Sequence, residues 1–443
     1  MARRRRPQAP AGPFEIRIHD LTHEGAGVAR QDDGKRLFIP DTLPGERVRY
    51  LRTQHRRDYD QGRLIEVLEP APNRVKARCP HFGYCGGCSL QHLDSAAQVE
   101  LKQRWLLDNL ARIGKVKPDT VLPPLTGPAW EYRRRARLAV RHVIKKKRVL
   151  VGFRERNVPI VAVLNGCEVL DPVFGRRLNE LGELIAQLSI RDQLPQIEVA
   201  VGDEAAAMVL RVLCAPSAAD RELLVQYSQE SGIWIWLQPG GPDSVQPLMP
   251  DTPALSYRLP THDIEIRFEP QDFIQVNAAI NARMVDQALE LLNPHSQARL
   301  LELFSGLGNF SLPLAKRVSQ VVAVDGEPSL VQRACHNALL NGLTNIEHHV
   351  ADLTAVPADV AWLAADYDAV LLDPPRSGAR EVLPLVVARR PRHILYVSCH
   401  PGTLARDASM LVHEHDYCLR AAGIMDMFPH TSHVESMALF EAA

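Results

Sequence analysis

The rhythm of hydrophobic and polar positions changes twice along the chain. From Phe14 to about Pro70 apolar and polar residues alternate in short runs, clearest in Phe14-Glu15-Ile16-Arg17-Ile18, with Gly and Asp between the runs. A period of two puts alternate side chains on opposite faces of a strand. The pattern predicts strands over Phe14–Leu21, Lys35–Ile39, Arg47–Leu51 and Arg63–Leu68. Short strands at this spacing predict a small barrel of the OB type, over residues 12–70.

The middle stretch, residues 71–250, mixes the two rhythms. A helix is expected around Ala96–Ile113, then a Pro-rich break at Pro118–Pro128. Strands are expected at Arg137–His142, Val149–Phe153, Ile197–Val201 and Met208–Leu213, and a helix at Val173–Leu188. This reads as a mixed α+β domain, closed by the break Gln238–Pro250. From about Ile264 strands and helices alternate. Asn281–Leu292 is helical, and Arg299–Phe304, Gln320–Val324, Tyr367–Leu372 and Ile394–Ser398 are buried strands. The pattern predicts a doubly wound α/β domain with a mostly parallel sheet over residues 251–443. Ligands of such sheets sit beyond the carboxyl ends of the strands.

Hydrophobic residues are 46% and charged residues 23% of the 443, which excludes a disordered or collagenous chain. No run of about 18 uninterrupted apolar residues predicts a membrane span. The basic Met1–Pro13 lacks the apolar run of a secretory signal, so a cytoplasmic location is expected. The zero net charge hides a polarity. Residues 1–160 hold 33 Lys+Arg against 17 Asp+Glu, leaving 19 against 35 for the rest. A basic third suits a polyanion. In the barrel, Arg47, Arg49, Arg52, Arg56, Arg57 and Arg63 lie among Tyr50 and Tyr59, a mixture suited to phosphate contact and base stacking. The competing reading is a structural barrel with a wet basic face. Arg3–Arg6 is either a phosphate-binding tail or a disordered end.

Five segments carry candidate chemistry. Cys79-Pro-His-Phe-Gly-Tyr-Cys85-Gly-Gly-Cys88 places three thiols in one loop, and Cys167 is the nearest later cysteine. Four thiolates suit an iron–sulfur cluster or zinc. The spacing lacks the paired knuckles of common zinc sites and favours iron–sulfur without excluding zinc. His81 and His92 are alternative ligands, with surface positions the plainer expectation. Next, Leu301-Glu302-Leu303-Phe304-Ser305-Gly306-Leu307-Gly308-Asn309 joins a strand, a Gly-x-Gly turn and a helix, and Asp325 follows 19 residues after Gly306. Glycines permit close backbone approach to a ligand, and the acid is placed for a ribose diol. Ser311 stands where a third glycine would favour a nicotinamide cofactor, so S-adenosylmethionine is the better reading.

Asp373-Pro374-Pro375-Arg376 puts a carboxylate at a strand end, unless Asp373 is only a helix cap. Val397-Ser398-Cys399-His400-Pro401 puts a thiol at another. Cys214, Cys335 and Cys418 are expected to be buried structural cysteines. In the tail, Glu435 is a candidate general base with His430 or His433 as support; a solvated turn is the plain alternative.

In this order, these segments resemble the RNA (uracil-5)-methyltransferase family, over nearly the whole chain. The closest likeness is to its large-subunit ribosomal RNA branch with an N-terminal TRAM domain. The most specific pieces are the cysteine loop, Asp272-Phe-Ile-Gln-Val-Asn, Asp373-Pro-Pro-Arg, Tyr396-Val-Ser-Cys and Asp426-Met-Phe-Pro-His-Thr. His19-Asp-Leu-Thr-His-Glu-Gly-Ala-Gly-Val-Ala carries the TRAM likeness.

The resemblance implies a [4Fe–4S] cluster on Cys79, Cys85, Cys88 and Cys167. It implies an S-adenosylmethionine site lined by Gln275, Phe304, Asn309, Asp325, Asp352 and Asp373, with Cys399 as nucleophile and Glu435 as base. It implies a Rossmann-like methyltransferase domain and a monomer that methylates a uridine of 23S ribosomal RNA, position 1939 being suggested. The alternatives are another ribosomal or transfer RNA uridine, a non-catalytic RNA-binding assembly factor, or an iron–sulfur radical protein. The C-x3-C-x2-C radical signature is absent. The chain departs from the family in Ser305, Asp325 and Pro375, where members often have Cys, Glu and Ala.

Overall fold

The computed structural model describes residues 12–443 apart from 157, 358 and 359. The Arg3–Arg6 run lies outside the described residues. The chain divides into two compact units. One holds the chain up to Leu101 together with Glu155–Val158 and Pro429–Ser432; the other holds the remainder.

In the first unit six strands form one sheet, in the order Phe14–Arg17, Arg47–His55, Tyr59–Glu69, Arg36–Ile39, Gly27–Arg30, Asp20–Leu21. The first and last of these are two halves of one stretch. Phe14 to Arg17 pairs with Arg47–Tyr50, and Asp20–Leu21 pairs with Gly27–Val28. The sheet therefore closes on itself, as the alternation predicts. Ile18, Ala29, Leu37, Ile39, Val48 and Tyr50 fill the centre. The long hairpin Arg47–His55/Tyr59–Glu69 carries three register shifts, and such bulges bend a strand so that a small barrel can close.

The second unit contains three sheets. One has the order Gln246–Pro247, Ile233–Gln238, Ala206–Arg211, Gln196–Val201, Arg135–Val143, Arg148–Gly152. Only Ala206–Arg211 and Ile233–Gln238 run parallel, joined through the helix Ala218–Ser231. The helix expected over Val173–Leu188 is instead two, Pro172–Gly175 and Leu178–Gln187. Gly175 packs against backbone: a Cβ there would lie 2.5 Å from the Cys167 carbonyl oxygen. Cys214 is exposed and Cys335 and Cys418 are half-buried, which corrects the expectation that all three are buried. Cys214 lies past the end of the strand Ala206–Arg211, where the chain returns to the surface.

The largest sheet has eight strands. Ile346–Val350, Gln320–Asp325, Arg299–Leu303, Ala369–Leu372 and His393–Ser398 are parallel neighbours in that order. Glu435–Ala442 then adds antiparallel, followed by Tyr417–Met425 and Thr120–Val121. The four parallel strands expected here are present within two residues at each end. Their near-continuous apolar runs are what burial on both faces demands.

The hairpin Leu255–Leu259/Ile264–Phe268 docks on the helix Pro328–Leu340 through asparagine amides. Asn341 accepts from Glu265 N (2.9 Å) and donates to Glu265 O (2.7 Å). Asn337 does the same with Arg267 (2.9 and 3.1 Å). Four residues of helix rise about 6 Å, close to the roughly 6.6 Å of two strand residues. The two amides thus stand in for a partner strand. No helix among the described residues is long and apolar enough to cross a membrane.

Candidate active site

The sheet reverses its direction of growth between Arg299–Leu303 and Ala369–Leu372, adjacent in space but separated by two strands in sequence. Such a switch point opens a crevice at the carboxyl ends of both strands. Four candidate segments end there.

Past Leu303 the backbone turns sharply. Phe304 has φ of +64°, uncommon for an aromatic residue and a mark of a constrained functional loop. Gly306 N donates to Asp325 Oδ2 at 2.8 Å, and Glu327 N to Oδ1 at 2.9 Å. The turn is therefore wrapped on the Asp325 carboxylate, and each oxygen retains a lone pair for a ligand. Beneath it, Glu302 is buried. Burial pushes its carboxyl up to about 8, helped by the charges of Asp373 and Asp325 and opposed by a Ser311 hydrogen bond.

Strand register brings the reactive candidates together. Ser398 is the cross-strand partner of Ser436. One step further places Cys399 beside Glu435, on strands about 4.8 Å apart. Leu372 pairs with Tyr396 on the other side, so Asp373 begins the neighbouring loop. Local anchors fix Cys399 between them: Ser398 Oγ accepts from His400 N at 3.1 Å, and His400 Nδ1 accepts from Thr403 N at 3.2 Å. Asp373 caps no helix, since the next begins at Leu383.

The three groups feel one another. Burial first, then Glu435 and Asp373, push the Cys399 thiol up to about 11, against a pull from Arg376. Burial and Asp373 push Glu435 up to about 8, opposed by Arg376 and Lys102. Burial raises Asp373 to about 7. Without ligand the crevice thus favours protonated acids and a neutral thiol. Lys102 is wholly buried; its Nζ donates to Asp426 Oδ1 (2.6 Å) and the Phe428 carbonyl (2.9 Å). His433 lies 3.3 Å from Arg376, and burial with that cation depresses it to about 4. His430 belongs to the first unit.

The ends of Asp272-Phe-Ile-Gln-Val-Asn are structural. Asp272 accepts from Arg333 (2.5 Å), and Asn277 caps the helix Ala278–Leu292. Between them Gln275 is half-buried and Phe273 is 64% exposed. Asn309 exchanges two 2.9 Å amide bonds with Asn281 and accepts from Tyr257 at 3.0 Å. These bonds hold the glycine turn. Asp352 is exposed and closes its own turn through Thr354 (2.6 and 2.9 Å). Sequence reasoning missed Lys102 and Arg376, which bear on Glu435 and Cys399. Arg376 stands inside a quoted motif; Lys102 carries no local signal.

The cysteine loop lies in the first unit and Cys167 in the second. Gly83 turns the loop with φ of +96°, and the Cys88 carbonyl accepts from Arg156 at 2.7 Å. Burial, Cys85 and Cys79 together raise the Tyr84 phenol, so both thiols lie near that ring. The loop therefore offers a soft donor set. Among the described residues, no assembled group of three or more His, Cys, Asp and Glu that could hold a metal ion is found.

A family model described as tRNA (Uracil-5-)-methyltransferase matches residues 248–443, and one described as TRAM domain matches residues 14–51. The chain is 55% identical over 440 residues to the 23S rRNA (uracil(1939)-C(5))-methyltransferase RlmD of Alkalilimnicola ehrlichii, covering 99% of this chain and 98% of that protein. The chain belongs to the RNA (uracil-5)-methyltransferase family. The protein of the same name from Methylococcus capsulatus is 49% identical over 440 residues, covering 99% of each. Among solved structures, the chain is similar to Pyrococcus abyssi tRNA (uracil-54, C5)-methyltransferase in complex with S-adenosyl-L-homocysteine. The TM-score is 0.74 at 24% identity, over 96% of this chain and 100% of that one. The fold is thus that of this family's methyltransferases, with a TRAM domain at residues 14–51.

Proposed function

We propose that this chain transfers a methyl group from S-adenosylmethionine to C5 of a uridine in 23S ribosomal RNA, at position 1939. The observation that carries the reading is the register that sets Cys399 beside Glu435 at the switch point, together with the relatives' shared activity. Gln275, Phe304, Asn309, Asp325, Asp352 and Asp373 form the cofactor side. Phe304 and Asp325 shape the wall, Asn309 fixes the turn, and Asp352 stands at the rim.

S-adenosylmethionine supplies an electrophilic methyl group when bound. Uracil C5 is too weak a nucleophile to take it directly. Cys399 loses its proton to solvent, and the thiolate, favoured by the Arg376 cation, adds to C6, forming a carbon–sulfur bond and moving the C5–C6 π electrons toward O4. C5 then forms a bond to the methyl carbon as the sulfonium bond breaks. Glu435, in the ionised form that the Arg376 and Lys102 cations favour, removes the C5 proton, the double bond re-forms and the Cys399 sulfur leaves. Covalent addition replaces one hard step by easier ones, and a positioned base adds about 10²–10⁴-fold. A paired uridine must first leave its stack. The test is methyl transfer from labelled S-adenosylmethionine to unmodified 23S RNA, with the product mapped. Label at uridine 1939 supports the reading; label elsewhere or none overturns it.

For RNA binding, the barrel's arginines divide into two groups. Arg47 pairs with Glu15 and Glu69, Arg49 with Glu15 and Glu66, and Arg52 with buried Asp60. Arg56 instead donates to neutral Gln54 (3.1 Å), so its charge stays available. Replacing Arg56, Arg57 and Arg63 with Gln should weaken RNA binding. Each lost single-strand phosphate contact should lower the log–log salt slope by roughly 0.7. An unchanged slope would take these residues out of the RNA path.

The metal reading rests on the donor set. Cys79, Cys85, Cys88 and Cys167 would hold a [4Fe–4S] cluster with a structural role, since all four lie outside the α/β domain. Protein purified without oxygen should be brown and carry about four irons per chain. Zinc in their place, or no metal, would refute it.

A further inference from the structure

Two residues remain without a task in the chemistry: Tyr396, of Tyr-Val-Ser-Cys, and Gly378, two residues past Asp-Pro-Pro-Arg. They meet at a carboxylate. Asp407, on the helix Pro401–Glu414 that follows Cys399, is wholly buried. Its Oδ2 accepts from the Tyr396 hydroxyl at 2.7 Å and from Ala379 N at 2.9 Å. Its Oδ1 accepts from Arg406 Nε at 2.7 Å. The Tyr396 hydroxyl also lies 3.1 Å from Ala379 N, and Arg406 Nη2 donates to Ser377 O at 2.8 Å. Gly378 N closes a turn on Pro375 O at 2.9 Å.

We infer that the Tyr396–Asp407–Arg406 cluster is a positioning clamp: it fastens the 376–379 end of the loop to the helix behind Cys399 and so sets Arg376 against the thiol. This rests on the proposed methyl transfer. A buried carboxylate is tolerated only when its acceptor sites are filled, and here one donor, Ala379 N, comes from the loop, while Tyr396 and Arg406 come from the strand and the helix on either side of Cys399. The clamp leaves no room at Gly378. Its φ is +85°, and a Cβ there would lie 2.5 Å from both Arg406 Nη2 and Asp407 Oδ2. Arg376 is the cation that favours the Cys399 thiolate. Its position is fixed by a loop with no regular structure between Leu372 and Leu383, so an anchor outside the crevice must hold it. Tyr396, Asp407 and Arg406 act through that loop and touch no reacting atom.

The test compares Tyr396→Phe with wild type. Turnover should fall roughly tenfold, as expected when a reacting group shifts by a fraction of an ångström. S-adenosylhomocysteine affinity and KM for S-adenosylmethionine should stay within about twofold, since the glycine turn is untouched. In an Arg376→Ala background the same change should cost little more, because the clamp works through that loop. Gly378→Ala should reproduce the split more strongly. Wild-type turnover in Tyr396→Phe, full additivity with Arg376→Ala, or a parallel loss of S-adenosylhomocysteine affinity would overturn the clamp. Hydrogen exchange at the Ala379 amide gives an independent reading. It should quicken in Tyr396→Phe even if wild type methylates nothing, an outcome that would sink the proposed activity and leave the clamp standing; unchanged exchange would sink the clamp.

Discussion

Cys399→Ala is expected to abolish methyl transfer to RNA while leaving S-adenosylhomocysteine binding within about twofold of wild type. Without the thiol, C6 receives no nucleophile, C5 never becomes enolate-like, and the methyl group has no acceptor. The change removes one half-buried sulfur between two local anchors, Ser398–His400 and His400–Thr403. Neither anchor uses the thiol, so the strand end should keep its shape. No covalent protein–RNA species should form under any condition. Turnover within tenfold of wild type would show that another group adds to the base. Loss of S-adenosylhomocysteine affinity in parallel would show that the variant fails through the fold rather than the chemistry.

The thiol was legible because a parallel strand and its reactive residue are written in one stretch. Four apolar residues before Ser398-Cys399 mark the strand, and the polar break marks its carboxyl end. Phe304 through Asp325 was readable for the same reason. Closure of the barrel was also implicit, since Phe14 to Leu21 is long enough to serve two neighbours in turn.

What stayed hidden depends on contacts between distant residues. Val173–Leu188 has continuous helical periodicity, yet the Gly175–Cys167 backbone contact breaks it. Asn337 and Asn341 look like ordinary helix-surface amides, and nothing local says that they replace a strand. Three of the barrel arginines face carboxylates supplied by neighbouring strands, a pairing that a count of basic residues does not show. Lys102 sits in a helix with no charge pattern to distinguish it. Only the fold buries it against Asp426 and within electrostatic reach of Glu435. Nor does the position of Asn309 in its motif show that its amide pairs with Asn281 and Tyr257.

Glu435→Gln should fail later than Cys399→Ala, and the difference separates base from nucleophile. Addition at C6 and methyl transfer to C5 need no proton acceptor at C5, so both can proceed. The C5 proton then stays, the sulfur cannot leave, and a methylated protein–RNA adduct should accumulate. It would be visible as a shifted band on a denaturing gel, dependent on S-adenosylmethionine and absent when Cys399→Ala is added. The pH behaviour of stability supplies a second reading. Burial and Asp373 hold the Glu435 proton until about pH 8, whereas an unfolded glutamate loses it near pH 4.3. Between those values the unfolded state releases a proton that the folded state keeps, so wild-type stability falls as pH rises. An uncharged amide has no such penalty. Glu435→Gln should therefore melt higher than wild type at pH 8, with the gap closing toward pH 4.5. Normal turnover with no trapped adduct would assign the proton to another acceptor. In that case Asp373, the other raised carboxyl beside the thiol, becomes the base to test.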